Sequence, residues 1–123
     1  MKKIFAISAL CLALAGCSTV RPEYRVVPLT KEQVNHIRAR VSQMYNQGKI
    51  VKITNLNGAI SPDGITTVCG IAHKKNTSAP FIGTLSKKVP MERTRFAVLN
   101  IGKTHETAQE VRAQCAKNNA PIN

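Results

Sequence analysis

The stretch Ile65-Thr66-Thr67-Val68-Cys69-Gly70-Ile71-Ala72 decides the fold of this chain. Its β-branched residues predict a strand, and Cys69 lies within it. The turn sequence Ser61-Pro62-Asp63-Gly64 precedes it, with proline at the first central position and glycine at a left-handed one. Before that turn, the segment 49–56 has Val51 and Ile53 at alternate positions, which is the period of another strand. Together these segments predict a hairpin.

Further strands are predicted after the hairpin. Residues 73–80 are polar and indicate a loop or a widened turn, whereas residues 81–85 predict a short strand. Residues 95–101 are apolar on both faces from Phe96 onward, which is typical of a central strand, and Gly102 ends them. The sequence therefore predicts a sheet of three or four antiparallel strands.

A helix is predicted before this sheet. Thr30 and Gln33 have the spacing of a capping box, and Gly48 supplies the stop. Arg38 and Arg40 lie largely off the apolar stripe of this helix, which favours a solvent-exposed face over a binding face. The stripe itself recurs at steps of three and four residues and consists of Val34, Ile37, Val41 and Met44.

A second helix is predicted after the sheet, beginning near Thr104. Ala108, Val111 and Cys115 share one side of it, so Cys115 is expected to point toward the sheet. The predicted fold class is α+β, with an N-terminal helix, an antiparallel sheet and a C-terminal helix, and with both helices on one face of the sheet. Residues 30–118 are expected to form this single domain, followed by a tail over 119–123.

The first segment of the chain carries a targeting pattern. Two lysines open it, and the apolar run 4–14 is about half the ~20 residues that a membrane span needs. The run ends in Leu14-Ala15-Gly16-Cys17, which resembles the lipobox of bacterial lipoproteins. The resemblance implies a signal peptide over 1–16, lipid attachment at Cys17, and a lipidated tether over 17–29. The alternative is an ordinary secretory signal with a chance cysteine.

The same pattern predicts where the protein is located. Ser18 follows Cys17, whereas an aspartate there would favour retention at the inner membrane in the enterobacterial pattern. We therefore expect a lipid-anchored protein of the bacterial cell envelope, at the outer membrane and facing the periplasm. The lipobox resemblance implies a diacylglyceryl group on the Cys17 thiol and a third acyl chain on its amine. Because two lipid signals already give stable anchoring, these three chains would make the attachment effectively permanent.

The cysteine count predicts one disulfide bond. Of the four cysteines, Cys11 would leave with the signal peptide and Cys17 would be lipidated. Cys69 and Cys115 then form an even pair in an oxidising compartment. The alternative is that they are metal ligands or reactive thiols, but no further cysteine or histidine lies at zinc-ligand spacing from either.

The charge of the chain limits its partners. Sixteen of the 18 lysines and arginines follow the predicted signal peptide, against six acidic residues, which leaves a formal charge of +10. In the cytoplasm such a charge would favour nucleic acid, which a lipid anchor places out of reach. The expected partners are instead the membrane, through the N-terminal lipid, and an envelope protein or an anionic envelope component.

The inventory of reactive side chains predicts neither an enzyme nor a bound cofactor. The sequence has no spaced carboxylate pair, no histidine metal motif, no serine-nucleophile motif and no phosphate-binding glycine loop. The remaining candidate site is a basic binding rim around the 73–88 segment, and its alternative is a set of solvated lysines on turns. The rim consists of His73, Lys74, Lys75, Lys87 and Lys88.

A second resemblance covers residues 30–117. The run Val68-Cys69-Gly70-Ile71-Ala72-His73-Lys74-Lys75-Asn76 resembles the V-C-G-x-V-N-A-K-N segment of a group of small secreted bacterial proteins of unknown function. The resemblance implies a preceding helix and a later strand and helix that end in a second cysteine, with Gly83, Phe96 and Cys115 in the corresponding places. It supplies no activity, and the chain departs from the segment at His73 and Lys74.

These observations predict a non-enzymatic interaction module held at the envelope, which docks on a protein partner or an envelope assembly. The alternative is a periplasmic protein that binds an anionic ligand, such as a lipid headgroup, a glycan or an acidic protein that it inhibits by capture.

Overall fold

The computed structural model describes residues 23–88 and 93–122, and the predicted signal peptide and Cys17 lie outside them. These residues form one antiparallel sheet in which the strands follow each other in chain order, β1-β2-β3-β4-β5. A helix, α1, lies between β1 and β2, and a second, α2, follows β5. The elements are β1 (Arg25–Val27), α1 (Lys31–Tyr45), β2 (Lys52–Ile60), β3 (Thr66–Lys74), β4 (Thr77–Lys88), β5 (Arg93–Ile101) and α2 (His105–Lys117).

The sheet is wider than predicted, since it has five strands and not three or four. The additional strand is β1, which lies within the segment predicted to be a tether and pairs with β2 through Arg25 and Ile60. Residues 73–80 were predicted to be a loop, but they are almost entirely strand. Only two residues, Lys75 and Asn76, form the turn between β3 and β4. The predicted short strand at 81–85 is therefore the middle of a 12-residue strand.

The β2–β3 hairpin confirms the turn chemistry of the sequence. The backbone N–H of Gly64 donates to the carbonyl of Ser61 at 2.9 Å, and Ser61 N–H donates to Ile65 at 2.9 Å. Gly64 has a φ of 89°, the left-handed conformation that glycine adopts without a steric penalty. This turn fixes the register that places Val68 opposite Gly58.

The two helices pack on opposite faces of the sheet, so the prediction that both lie on one face is wrong. Successive side chains of a strand point to opposite faces. In β3, Val68 and Ala72 belong to the core beneath α1, whereas Cys69 belongs to the core beneath α2. In β4, Phe81 likewise belongs to the core beneath α1 and Ile82 to the core beneath α2. The molecule consequently has three layers, with the sheet in the middle.

Helix α1 begins as predicted. Thr30 Oγ1 accepts a hydrogen bond from Gln33 N–H at 3.1 Å, and Gln33 Oε1 accepts one from Thr30 N–H at 2.9 Å. Ile37 and Val41 are fully buried, but Met44 is 50% exposed and Tyr45 takes the inner position. The last turn of the predicted apolar stripe is therefore shifted by one residue.

Strand β5 is an edge strand, which corrects its predicted central position. Phe96 is buried against Phe81, with the two rings 6.4 Å apart edge to face. Ala97 on the other face is exposed, and Leu99 is 62% exposed. The apolar run therefore reflects one buried face together with exposed apolar residues, and not burial on both faces.

The C-terminal segment after α2 is part of the packed body. Ala120 and Ile122 are buried in the core beneath α2, in a segment that was predicted to be a tail. Asn57 Nδ2 donates to the carbonyl of Pro121 at 2.7 Å, and Asn119 Nδ2 donates to the carbonyl of Tyr24 at 3.1 Å. These bonds attach the C-terminus to β2 and to the start of β1.

A disulfide bond joins Cys69 on β3 to Cys115 on α2, as the cysteine count predicted. Both residues are fully buried, and their Cα atoms are 6.1 Å apart. The bond connects the middle of the sheet to the helix on one face. Because the two cysteines are 46 positions apart in the sequence, the bond constrains a long loop of the unfolded chain.

Removing this disulfide is expected to lower the free energy of unfolding by roughly 4 kcal/mol, the chain-entropy value for a loop of this length. The measurement is urea unfolding of the chain with Cys69→Ala and Cys115→Ala together. The wild-type chain treated with a reductant serves as the control and should unfold at about the same urea concentration as the double variant. If the unfolding midpoint of the wild-type chain were the same with and without the reductant, a stabilising role for the bond would be contradicted.

Candidate functional site

The residues of the predicted basic rim are divided between two distant places. His73 and Lys74 end β3 and Lys75 lies in the turn, whereas Lys87 and Lys88 end β4 at the opposite end of the sheet. About ten strand positions separate Thr77 from Lys87, which is roughly 33 Å at the usual rise of a strand. The two lysine pairs therefore do not form one rim.

Lys74 is used to hold α1 against the sheet. Its Nζ donates a hydrogen bond to the carbonyl of Tyr45 at 2.9 Å, at the end of α1, where the helix dipole favours a cation. The same Nζ lies 4.3 Å from the centre of the Tyr45 ring, a cation–π contact. The Tyr45 hydroxyl in turn lies 3.3 Å from Thr77 Oγ1 on the next strand. Lys74 is therefore a structural residue of the hairpin.

His73 and Lys75 differ from Lys74 in their surroundings. His73 Nε2 is hydrogen-bonded to Thr54 Oγ1 of β2 at 2.8 Å, and its side chain is half-buried. Lys75 is exposed, with a φ of 40° in the tight β3–β4 turn. Lys52, also exposed, is the register partner of His73. Lys52 and Lys75 are thus exposed cations at this end of the sheet, beside a histidine held by a neighbouring strand.

Ser42 is another polar side chain that the fold uses. It is 1% exposed, and its Oγ accepts a hydrogen bond from the backbone N–H of Val51 at 3.0 Å. Its carbonyl also accepts from Asn46 and from Gly48 at 2.9 Å. Ser42 therefore fixes the chain as it leaves α1 and turns toward β2, and its hydroxyl is not available to an external substrate.

A cleft of about 370 Å³ opens where α1 begins. Val27, Leu29 and Ile60 supply apolar wall, and Thr30 and Gln33 contribute polar atoms. Those polar atoms already form the capping box of α1. Among the described residues that line the cleft, none carries a titratable side chain. The cleft thus presents apolar surface together with the hydroxyls of Thr66 and Ser86, without a titratable side chain among these residues.

The part of the chain that the structure describes contains no cluster of metal-binding side chains. Within residues 23–88 and 93–122, no group of three His, Cys, Asp or Glu side chains could hold a metal ion. Cys69 and Cys115, whose alternative role was metal ligation, are bonded to each other. None of the described helices is long and apolar enough to cross a membrane.

The roles of Ser42 and Tyr45 were not predicted from the sequence, and Lys74 was predicted to belong to a binding rim and not to hold α1. The sequence does not show which group the Ser42 hydroxyl binds, because its partner, the backbone N–H of Val51, lies nine residues further along the chain. The partner of Lys74 is 29 residues distant and becomes its neighbour only through strand pairing. The weak signal that could have found Tyr45 is its helical spacing from Val41, which continues the apolar stripe as well as Met44 does.

Comparison with known proteins gives no assignment. No family model matches the chain, and neither a curated protein nor a solved structure shows significant similarity to it. The resemblances to the lipoprotein signal and to the small secreted proteins accordingly stay predictions.

The structural role of Lys74 can be tested against its neighbour. Lys74→Met is expected to lower the free energy of unfolding by about 1–2 kcal/mol, because it removes the hydrogen bond to Tyr45 and the cation–π contact. Lys75→Met, one residue away and exposed, should change it by less than about 0.5 kcal/mol. The measurement is urea unfolding of both variants, and equal losses would show that the Tyr45 contacts do not stabilise the fold.

Proposed function

We propose that this protein is an envelope lipoprotein that acts as a non-enzymatic interaction module for a protein partner or an envelope assembly. The sequence Leu14-Ala15-Gly16-Cys17 supports the anchor. The buried Cys69–Cys115 disulfide fits an oxidising compartment, where such bonds persist. Both features are consistent with a protein exported from the cytosol.

One observation carries the non-enzymatic part of the proposal: several side chains that could do chemistry are used to build the fold. Ser42 binds a backbone N–H, Lys74 binds the end of α1, and Cys69 is covalently bonded. The cleft at the start of α1 has no titratable side chain among its described lining residues. What remains for recognition is the outer surface, with its excess of positive charge.

The anchor would also limit where the partner lies. Eight residue steps separate Cys17 from Arg25, the first residue of β1, and a fully extended chain of that length reaches about 28 Å. The predicted tether over 17–29 would have allowed a longer reach. A lipidated Cys17 would therefore hold the domain close to the bilayer surface, and its partner would have to come within that distance.

The anchor is tested by Cys17→Ser. We expect the wild-type chain to incorporate radioactive palmitate and to sediment with membranes, and the variant to be unlabelled and released in soluble form, because it lacks the thiol that carries the lipid. Cys11→Ser is the matched control and should leave both labelling and sedimentation unchanged. Equal palmitate labelling of Cys17→Ser and wild type would rule out the anchor.

A second function, binding of an anionic ligand, is favoured by the position of the exposed lysines. Lys52 and Lys75 lie at the same end of the sheet, next to His73. This end carries the β3–β4 turn and lies opposite the start of β1, where the N-terminal segment joins the sheet. A polyanion away from the membrane could therefore contact it while the lipid anchor stays in place.

Vesicles containing phosphatidylglycerol are the probe for this second function. The Cys17→Ser chain should bind them at low salt and dissociate as the ionic strength rises. Lys52→Gln and Lys75→Gln should each weaken binding roughly fivefold, the effect of about 1 kcal/mol per lysine near an anionic surface. Lys117→Gln on α2 has the same change of charge and should weaken it less. Equal effects of all three substitutions would indicate attraction by net charge alone, without a site.

A further inference from the structure

The sheet has two edges of very different length. The β1 edge is three residues long, whereas the β5 edge is nine residues long. In an edge strand, the backbone N–H and C=O groups of every second residue point away from the sheet, where another strand can pair with them. Of the two edge strands in the described part of the chain, β5 therefore offers the longer row of backbone groups with which an added strand could pair.

Edges of this length are usually protected by charge, by proline or by a bulge. In β5 the protection lies only toward the two ends. Arg93 and Arg95 are near the start, and a bulge interrupts the register with β4 between Val98 and Asn100. From Arg93 to Val98 the pairing with β4 is continuous, so the outer side of these residues has the regular geometry that an added strand requires.

The side chains along this edge define a pattern of charge and hydrophobicity. Arg95 and Ala97 are exposed and point to the same face, since they alternate with the buried Phe96. Leu99, at the bulge, is 62% exposed. The edge is thus basic toward its start and apolar toward its end, with no acidic residue anywhere in β5.

We propose that the β5 edge binds an extended acidic segment of a protein partner as a sixth strand of the sheet. Main-chain hydrogen bonds would supply the pairing, and carboxylates of the segment would lie beside Arg95. An apolar residue of the same segment would cover Leu99. This inference rests on the proposed function, because it specifies where an interaction module docks and what kind of partner it takes.

Charge favours this occupant over a second copy of the chain. Two mature chains would each bring a formal charge of +10, and like charges across an interface oppose association. A lipid surface or a glycan could neutralise the arginines, but neither offers a polypeptide backbone to the outward N–H and C=O groups of β5. An acidic polypeptide supplies both the charge and the backbone.

The experiment uses the full lipidated chain in cells, with a photo-crosslinking amino acid at Leu99. The same group at Ile50, which is 71% exposed outside the sheet, is the matched control. We expect one envelope protein to be captured from position 99 with at least fivefold higher yield than from position 50. Sequencing the crosslinked peptide should identify a segment that contains Asp or Glu.

A charge reversal then tests the arginine. Arg95→Glu should reduce the yield from position 99 at least fivefold, and an Asp/Glu→Lys change in the captured segment should restore it. Arg40→Glu, which reverses an exposed charge on α1, should reduce it less than twofold. Thermal unfolding of both variants verifies that they are folded, and rescue by the partner change cannot come from a misfolded chain.

The remaining outcomes separate the two proposals. Capture of a protein from position 50 but not from position 99 would overturn docking at β5 and leave the interaction module standing. Capture of another copy of this chain, or capture that Arg95→Glu does not reduce, would overturn the acidic segment. If neither position captures a protein, both docking at β5 and the proposed function fail.

Discussion

The position of β3 between two cores is the constraint on which the rest of the structure depends. Residues Thr67 to Gly70 are buried, and Val68 lies in the core beneath α1 whereas Cys69 lies in the core beneath α2. A shift of one residue in register would exchange these faces and separate Cys69 from Cys115. The Ser61–Gly64 turn fixes that register from one end, and the disulfide fixes it from the middle. Helix α2 therefore has one position on the sheet.

Close packing around β3 also determines which side chains remain for recognition. A Cβ atom on Gly83 would lie 2.5 Å from the ring of Phe96, so the ring can pack over β4 at this point because the residue there is glycine. Lys74, Ser42 and Asn57 use their polar atoms to join helix, strand and C-terminus. These polar groups are therefore engaged within the fold, whereas exposed cations and the β5 edge stay accessible to a partner.

Local sequence signals predicted the elements well, because those signals act over a few residues. The cap at Thr30, the start of α2 near Thr104 and the turn glycine at position 64 involve neighbours in the chain and were correct. Errors arose where tertiary pairing decides the outcome. The apolar residues of β5 do not reveal whether another strand lies beyond them, and the three residues of β1 have too short a pattern to predict pairing. The candidate site was predicted least well, because a list of lysines does not show that strand direction places them at opposite ends of β4.

The distribution of charge follows from the same geometry and connects the two proposed surfaces. The arginines near the start of β5 lie at the end of the sheet where β1 begins. At this end Arg95 of β5 pairs with Ser86 of β4. Arg25, the first residue of β1, pairs with Ile60, which lies beside the β2–β3 turn at the same end. Lys52 and Lys75 lie at the other end. A chain anchored through its N-terminus would hold the arginines near the bilayer and direct the lysines away from it. An acidic segment reaching β5 would therefore approach from the membrane side, whereas a polyanion reaching the lysines would come from the opposite side, so the two partners would not compete for one surface.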